Sequence, residues 1–370
     1  MNKLLLAAVV AAIYASSVSA IPIVQSITIG PGPNLSSTGP IYNTVNDTTT
    51  GGVAVTTPTA TRSLSFNRFN GDTGVLTGVS STLAIAAGLL SLHTSGGTYD
   101  GSGTGSFAST GSISASSNLS GVTFGAINNS LSNGCANNGN CFQSGSLRQL
   151  EQPDSSWLSP TATVAPADFN SYVGAGTLSS TLTVTNSVSL TSTANIIGPR
   201  ATLDISGFNG TQSLTYTYLN HANASFTSGI DSNELTQDVS NGAFDFSIFN
   251  FGGVETTMLD SVSLNCISGD CLAFSLDLLG FQDLIAGSSV TGGVGLNTAL
   301  AGIYSASYAL LFSDDTAVGA TSTHRQNALT LNVFANVAPF AVDPFSVPEP
   351  VPLALLGVGL AGLGFSRRKQ

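Results

Sequence analysis

Three histidines, His93, His221 and His324, are the side chains of this sequence best suited to acid–base chemistry, and they lie far apart along the chain. A histidine that meets an aspartate and a serine forms the catalytic triad of many hydrolases. Such serines usually occupy a Gly-x-Ser-x-Gly turn, and zinc proteases carry a His-Glu-x-x-His pair, but the sequence contains neither pattern. We therefore expect surface or turn histidines, no catalytic residues and a protein that is not an enzyme.

Four cysteines form two close pairs, Cys135 with Cys141 and Cys266 with Cys271. A structural zinc site needs four cysteine or histidine ligands, which are commonly supplied in close pairs such as Cys-x-x-Cys. Neither pair has the Cys-x-x-Cys spacing, and no histidine lies near either one. The sequence therefore predicts two local disulfides, which implies an oxidising, extracytoplasmic compartment.

Other motifs for ligands are weak. Residues 357–362 read Gly-Val-Gly-Leu-Ala-Gly, but no strand–helix–strand unit surrounds this match to the dinucleotide fingerprint. Asp231 begins a segment like a calcium-binding EF loop, yet position six is Thr236 and position twelve is Gly242. Asp314–Asp315 and Ser268–Asp270 leave open an irregular calcium site or plain solvated acids. We expect no cofactor and no metal.

Charge excludes one broad class of partner. Between residues 21 and 347 there are 5 basic and 19 acidic residues, a net charge of −14, and no lysine. Such a segment is repelled by the phosphate backbone of nucleic acids. Because charged residues make up only 8% of the chain, Ser, Thr, Asn and Gly must cover its surface. We expect no nucleic-acid partner and a neutral, hydrated surface.

The pattern of apolar residues predicts antiparallel strands. Small polar residues alternate with aliphatic or aromatic residues at 181–185, 214–218 and 329–333, which is typical of strands with one buried face. The Pro- and Gly-rich residues 21–60 predict a lead-in with at most one edge strand. Residues 96–120 and 128–146 could form loops or weak strands, and 80–92 and 272–286 could form strands or short helices. The expected fold class is all-β, with two antiparallel sandwiches at residues 21–220 and 221–345.

The first residues resemble a secretory signal peptide. Lys3 is followed by the apolar residues 4–15, and Val18-Ser19-Ala20 fits the small-residue site of signal peptidase. The sequence predicts a signal helix at residues 1–20, cleavage after Ala20, and the Sec export machinery and signal peptidase as partners.

The last residues combine three physically different pieces. Pro348, Glu349 and Pro350 precede an apolar, glycine-rich run at 351–365, and Arg367, Arg368 and Lys369 follow it. A recognition site, a lipid-partitioning helix and cytoplasmic basic residues in this order predict a membrane-held sorting signal at residues 346–370. The run would be about 22 Å long as a helix, which is short of the roughly 30 Å of a bilayer core. It therefore suits a temporary transmembrane handle better than a permanent anchor.

This tail resembles the PEP-CTERM sorting signal of Gram-negative bacteria, which also carries the name ice-binding protein C-terminal domain. The resemblance implies an exosortase-type membrane protease/transpeptidase that recognises the triplet Pro348-Glu349-Pro350. A looser resemblance links residues 69–79 and 172–178 and the Tyr216 strand to choice-of-anchor β-domains, and residues 301–308 to the closing strand of an immunoglobulin-like sandwich. These resemblances imply immunoglobulin-like or jelly-roll-like sandwiches, and they imply no catalytic residues.

These observations predict an exported bacterial cell-surface or extracellular-matrix protein, associated with biofilm or exopolysaccharide. It would be held briefly at the inner membrane and then reach the surface or the medium. The alternative is a carbohydrate- or surface-binding adhesin, which would present exposed aromatic residues on one face, such as Trp157, Tyr172 and Tyr216. A secreted hydrolase ranks third, and it would need a histidine in contact with a carboxylate and a hydroxyl.

Overall fold

The structure is a computed structural model that describes residues 19–29, 42–46, 52–56, 59–95, 98–99, 106–120, 122–136, 147–151, 159, 161–192, 196–197, 200–278, 280–298 and 300–339. Strands dominate these residues, and the helical segments are short 3-10 turns. The prediction of an all-β fold is confirmed. None of the helices among the described residues is both long and apolar enough to cross a bilayer. The predicted signal helix and transmembrane helix lie outside the described residues.

Thirteen strands belong to the first part of the described chain. They are β1 Ile21–Ile29, β2 Tyr42–Asn46, β3 Gly52–Thr56, β4 Thr59–Asn67, β5 Val75–Ser95, β6 Thr98–Tyr99, β7 Ser106–Leu119, β8 Val122–Ala136, β9 Leu147–Glu151, β10 Ala162–Thr163, β11 Thr177–Ser192, β12 Ile196–Ile197 and β13 Arg200–Leu219. Short 3-10 turns lie at Gly71–Thr73 and Pro166–Tyr172.

Two antiparallel sheets form the first sandwich. One has the order β1-β13-β5-β10, with β2 also on β13 and β9 also on β5. The other has the order β3-β11-β7-β8, with β4 also on β11. Alternation along β11 explains its place, because Leu182, Val184 and Val188 are buried while hydroxyl residues between them face outward. These side chains join Leu83, Tyr216 and others in one apolar core.

Eight strands form a second sandwich. They are β14 Ala224–Ser225, β15 Glu234–Asp238, β16 Ala243–Asn250, β17 Leu259–Gly269, β18 Phe274–Asp277, β19 Ser289–Leu296, β20 Gly302–Asp314 and β21 Gln326–Val337. Short 3-10 turns lie at Cys271–Ala273 and Thr321–Thr323.

The second sandwich has its own apolar core. Its sheets have the orders β14-β16-β19-β18 and β15-β21-β20-β17. All these pairs are antiparallel except β15 with β21, which is parallel. Ile248 and Phe246 from one sheet pack with Leu310, Phe312 and Leu331 from the other. Two apolar clusters therefore stabilise the described chain, and each is enclosed by a pair of sheets.

Five stretches either differ from the sequence prediction or decide an alternative that it left open. Residues 21–60 contain three complete strands and the start of a fourth rather than at most one, because their Pro and Gly residues fall mainly between β1, β2 and β3. The small-residue segments at 106–119 and 122–136 are strands β7 and β8. Residues 80–92 lie in the long strand β5, whereas 272–286 contain a 3-10 turn, β18 and a loop.

Candidate functional site

Most residues predicted to direct sorting lie outside the described residues: Pro348, Glu349, Pro350, Arg367, Arg368 and Lys369. The predicted signal-peptidase residue Ala20 directly precedes β1. Cys266 and Cys271 form a disulfide with a Cα–Cα distance of 6.1 Å, so this pairing is confirmed. The Cys135–Cys141 pair lies outside what the structure describes, because Cys141 and the side chain of Cys135 are not described.

Two of the three aromatic residues proposed for carbohydrate binding, Tyr172 and Tyr216, do not lie at the surface. The side chains of Tyr172 and Tyr216 are 0% and 1% exposed and belong to the first apolar core. Burial raises the pKa of both phenols, and each hydroxyl donates to a backbone carbonyl, that of Leu119 or Asn67. This part of the prediction is wrong, because alternation along β13 turns the Tyr216 ring inward and the 3-10 turn Pro166–Tyr172 places the Tyr172 ring in the same core. Trp157 lies outside the described residues.

A histidine–aspartate pair lies where the two sandwiches meet. His221 follows the end of β13, and its Nδ1 is 2.8 Å from Oδ2 of Asp314 at the end of β20. The His221 Nε2 is 2.9 Å from the carbonyl oxygen of Gly71, which belongs to the first sandwich. The Asp314 side chain is 0% exposed, and it also accepts the backbone N–H groups of Ala222 and Arg325 at 2.7 Å each.

This pair holds structure together and is not arranged for catalysis. In a hydrolase triad the second histidine nitrogen must accept a proton from a hydroxyl. Here both ring nitrogens of His221 face oxygens that can only accept, so the doubly protonated imidazolium fits best. The hydrogen bond to Asp314 is the main reason that the pKa of His221 is raised, although burial opposes it. When the imidazole is protonated, both ring nitrogens can donate, and the histidine then links the two sandwiches.

The loop between β20 and β21 extends this joint. The Ala320 N–H donates to the Leu76 carbonyl at 2.8 Å, and the Leu76 N–H donates to Thr323 Oγ1 at 3.2 Å. Ala320 is buried in the first apolar core although it belongs to a loop of the second sandwich. Gly319 has φ of +78°, and a Cβ at this position would lie 2.5 Å from the Leu76 oxygen. The loop can approach β5 this closely because residue 319 is glycine.

Three carboxylates meet beside the joint. One oxygen each of Asp260, Asp283 and Asp315 lie within 4.8 Å of one another, and Asp260 and Asp315 are buried. Oxygen ligands of this type suit hard cations such as calcium. Backbone N–H groups already donate to these acids: those of Asp283 and Thr316 to Asp260, and that of Ala317 to Asp315. These hydrogen bonds account for the placement of Asp260, near the start of β17, and of Asp315, just after β20.

The structure separates the carboxylates that the sequence suggested for calcium. Asp314 binds His221, whereas its neighbour Asp315 joins the three-carboxylate cluster. Asp270 accepts the N–H of Ser305 at 3.1 Å at the far end of the second sandwich. The neighbouring aspartates point to different partners because β20 ends between them. The Asp–Asp doublet directly after an apolar strand is a sequence signal for this strand end. Nothing in the sequence pairs His221 with a residue 93 positions away.

The second sandwich ends, away from the joint, in an apolar surface that we call the distal pole. It consists of residues 269–273, the described residues 297–298 and 300–301 of the next loop, the start of β20 and the end of β21. Leu272, Leu300 and Ile303 are 93%, 73% and 81% exposed there. Leu272 and Leu300 border, with Tyr304, an open groove of about 550 Å³. The Tyr304 hydroxyl donates to the Leu300 carbonyl at 3.1 Å, which fixes the ring beside the groove.

The fold and these sites define an all-β protein of two sandwiches with a hydrogen-bonded joint and an apolar pole. No protein-family model matches the sequence, and no curated protein matches it. Among solved structures, the structure of infectious bursal disease virus Gx strain is similar at 12% identity and a TM-score of 0.15. That match covers 54% of this chain and 42% of the viral chain, so the chain spans less than half of its length. A similarity of this size carries no conclusion about function.

Proposed function

We propose that this protein is an exported bacterial cell-surface or extracellular-matrix protein that is sorted through its C-terminal PEP-CTERM-like signal. The observation that carries the proposal is the order of the tail: Pro348-Glu349-Pro350, an apolar run at 351–365, then Arg367, Arg368 and Lys369. The signal-peptide pattern that ends at Ala20 agrees with export. The proposed partners are the Sec machinery, signal peptidase, an exosortase-type enzyme and exopolysaccharide.

The body of the protein supports a structural role. Exported proteins lie in an oxidising environment, in which a disulfide such as Cys266–Cys271 persists. Its two sandwiches place hydroxyl-rich strand faces outward, for example along β11. Immunoglobulin-like or jelly-roll-like topology for the sandwiches is part of the proposal.

Two alternatives receive less support. An adhesin would need exposed aromatic rings on one face, but Tyr172 and Tyr216 are buried. A hydrolase would need a histidine beside both a carboxylate and a hydroxyl, but His221 bridges a carboxylate and the backbone carbonyl of Gly71. We therefore favour a non-catalytic protein without cofactor.

Mass spectrometry of the native protein after cell fractionation tests the proposal. We expect the mature protein to begin at Ile21 and to lack residues 367–370. Replacing Pro348, Glu349 and Pro350 by alanine should retain the tail and keep the protein in the membrane fraction. The matched control replaces Pro31 and Pro33, which lie near the other end of the mature chain, by alanine. A native protein that still ends at Gln370 would refute sorting by this signal.

Glycan binding separates the matrix protein from the adhesin. The full chain is passed over immobilised exopolysaccharide and over single purified glycans. Weak binding without preference for one glycan agrees with a matrix protein, whereas tight and selective binding would favour the adhesin.

A further inference from the structure

The distal pole exposes more apolar surface than a water-exposed loop region needs. Leu272, Leu300 and Ile303 are each at least 73% exposed, and they come from two segments at one end of the sandwich, the turn Cys271–Ala273 and the start of β20 with the loop before it. A single exposed leucine is ordinary in soluble proteins, whereas Leu272 and Leu300 border one groove and Ile303 is exposed at the same end of the sandwich. Several exposed apolar side chains together mark an interaction surface. The backbone beneath them is well held, because Asp270 accepts the Ser305 N–H and the Asp270 N–H donates to the Ser305 carbonyl at 2.6 Å.

The described chain also ends at this pole. Val337, the last residue of β21, pairs with Gly302, the first residue of β20, so the strand delivers the chain next to Ile303. Only residues 340–350 separate the last described residue, Pro339, from the apolar run at 351–365. Eleven residues reach at most about 40 Å when they are fully extended. A tail in a bilayer therefore keeps this pole within about 40 Å of the lipid surface.

The opposite end of the second sandwich cannot face the same membrane. That end carries His221, Asp314 and the loop that contacts Leu76, and it is covered by the first sandwich. The strands β20 and β21 run between the joint and the pole, so the pole and the joint lie at opposite ends. A chain held by its tail thus presents the apolar pole to the lipid and extends the first sandwich outward.

From this placement we propose that the distal pole is a membrane-docking surface, with Leu272, Leu300 and Ile303 in the lipid interface while the tail is in the bilayer. Tyr304 suits the same position because its ring is apolar and its hydroxyl is polar. The net charge of −14 between residues 21 and 347 means that apolar contact, and not attraction to anionic headgroups, provides the affinity. The inference rests on the proposed function, since it needs the tail to enter a membrane.

A tryptophan probe tests the contact. The only tryptophan, Trp157, is replaced by phenylalanine, and Leu272→Trp is introduced into the full chain. The protein is reconstituted with phosphatidylcholine vesicles, with or without bromine on the acyl chains. We expect a blue-shifted emission that brominated lipid quenches. The matched control is Val254→Trp, because Val254 is 60% exposed in a loop near the joint, and its emission should not be quenched.

A second set of variants measures affinity. Replacing Leu272, Leu300 and Ile303 by serine should lower the vesicle partition coefficient of the full chain by about tenfold or more, because three aliphatic side chains no longer enter the lipid. Ile230→Ser with Val254→Ser removes exposed apolar residues of the same sandwich elsewhere and should leave the coefficient unchanged. A tail variant with Leu355→Asp and Leu360→Asp places two charges in the apolar run. Its vesicle partition coefficient measures how much the tail contributes to membrane binding.

The outcomes separate the two proposals. Vesicle flotation of the wild-type chain and of the tail variant tests the membrane handle. If the wild-type chain does not float with the vesicles, or if the tail variant floats as well as the wild type, the proposed handle is wrong. If the chain floats through its tail but Leu272→Trp stays unquenched, the docking surface is wrong. A blue shift without vesicles that grows with protein concentration would also overturn it, because a second copy of the chain would then cover the pole.

Discussion

The link between the sandwiches through His221 predicts a specific dependence of stability on pH. In the His221→Gln variant the shorter, neutral side chain cannot donate to Asp314 and Gly71 at once. The loss comprises one hydrogen bond to a carboxylate and one to a carbonyl. From typical values of about 1.5–3 and 0.5–1.5 kcal/mol, the unfolding free energy should fall by about 2–4 kcal/mol at pH 5 to 6.

The sign of the pH effect follows from the raised pKa of His221, which is due chiefly to its hydrogen bond with Asp314. The folded state binds the proton more tightly than the unfolded state, whose histidine has a pKa of about 6.5. The stabilisation is therefore complete below that value and is lost as pH rises through the folded-state pKa. Above the folded-state pKa, one ring nitrogen of His221 has lost its proton. It then faces an oxygen that carries no proton either, so that hydrogen bond is lost.

Urea unfolding of the full chain at several pH values between about 5 and 9 measures this effect. The quantity to compare is the difference in unfolding free energy between the wild type and His221→Gln, since shared titrating groups then cancel. His93→Gln is the control, because His93 is exposed on β5. A difference that is constant with pH, or larger at high pH, would refute the charged link.

Three further predictions concern packing and covalent structure. Gln212→Ala should lower the unfolding free energy by about 2–4 kcal/mol in urea titrations, since Gln212 is 0% exposed and its amide donates to Ser117 at 2.7 Å within the first core; an unchanged midpoint would contradict this. Replacing Cys266 and Cys271 by serine should cost about 2 kcal/mol, as expected for so short a loop, and a reductant should then have no further effect on the stability of this sandwich. Gly319→Ala should destabilise the joint by more than about 1 kcal/mol and speed proteolysis between the sandwiches, because a Cβ would lie 2.5 Å from a carbonyl oxygen; equal cleavage rates would disprove the close approach.

The sequence predicts individual strands better than it predicts their partners. Alternation at 181–185 and 329–333 corresponds to β11 and β21, because a one-sided apolar face is written into neighbouring residues. The same alternation does not reveal β7. Its inward-facing positions include the small residues Ala115 and Ser117, so its sequence shows no apolar stripe. The buried Gln212 lies in phase with Leu214, but only the assembled sheets supply its serine partners.

The candidate sites were less predictable than the fold. The Cys266–Cys271 pair could be predicted because its partners are five residues apart. His221 and Asp314 come together only when the ends of β13 and β20 meet, and no local pattern encodes that meeting. Likewise, the exposure of Leu272 depends on a 3-10 turn at a sheet end, where hydropathy alone suggested a buried segment.

The pairing of β1 with β13 sets an order of events during synthesis. Ile21 pairs with Tyr218, so the first strand leaves the ribosome almost two hundred residues before its partner. At about 5–20 residues per second the delay is roughly 10–40 s. During that time β1 cannot form its hydrogen bonds with β13, and its unpaired edge can pair with a non-native strand. The sheet of the first sandwich that contains β1 can therefore be completed only after β13, its last strand, has been synthesised.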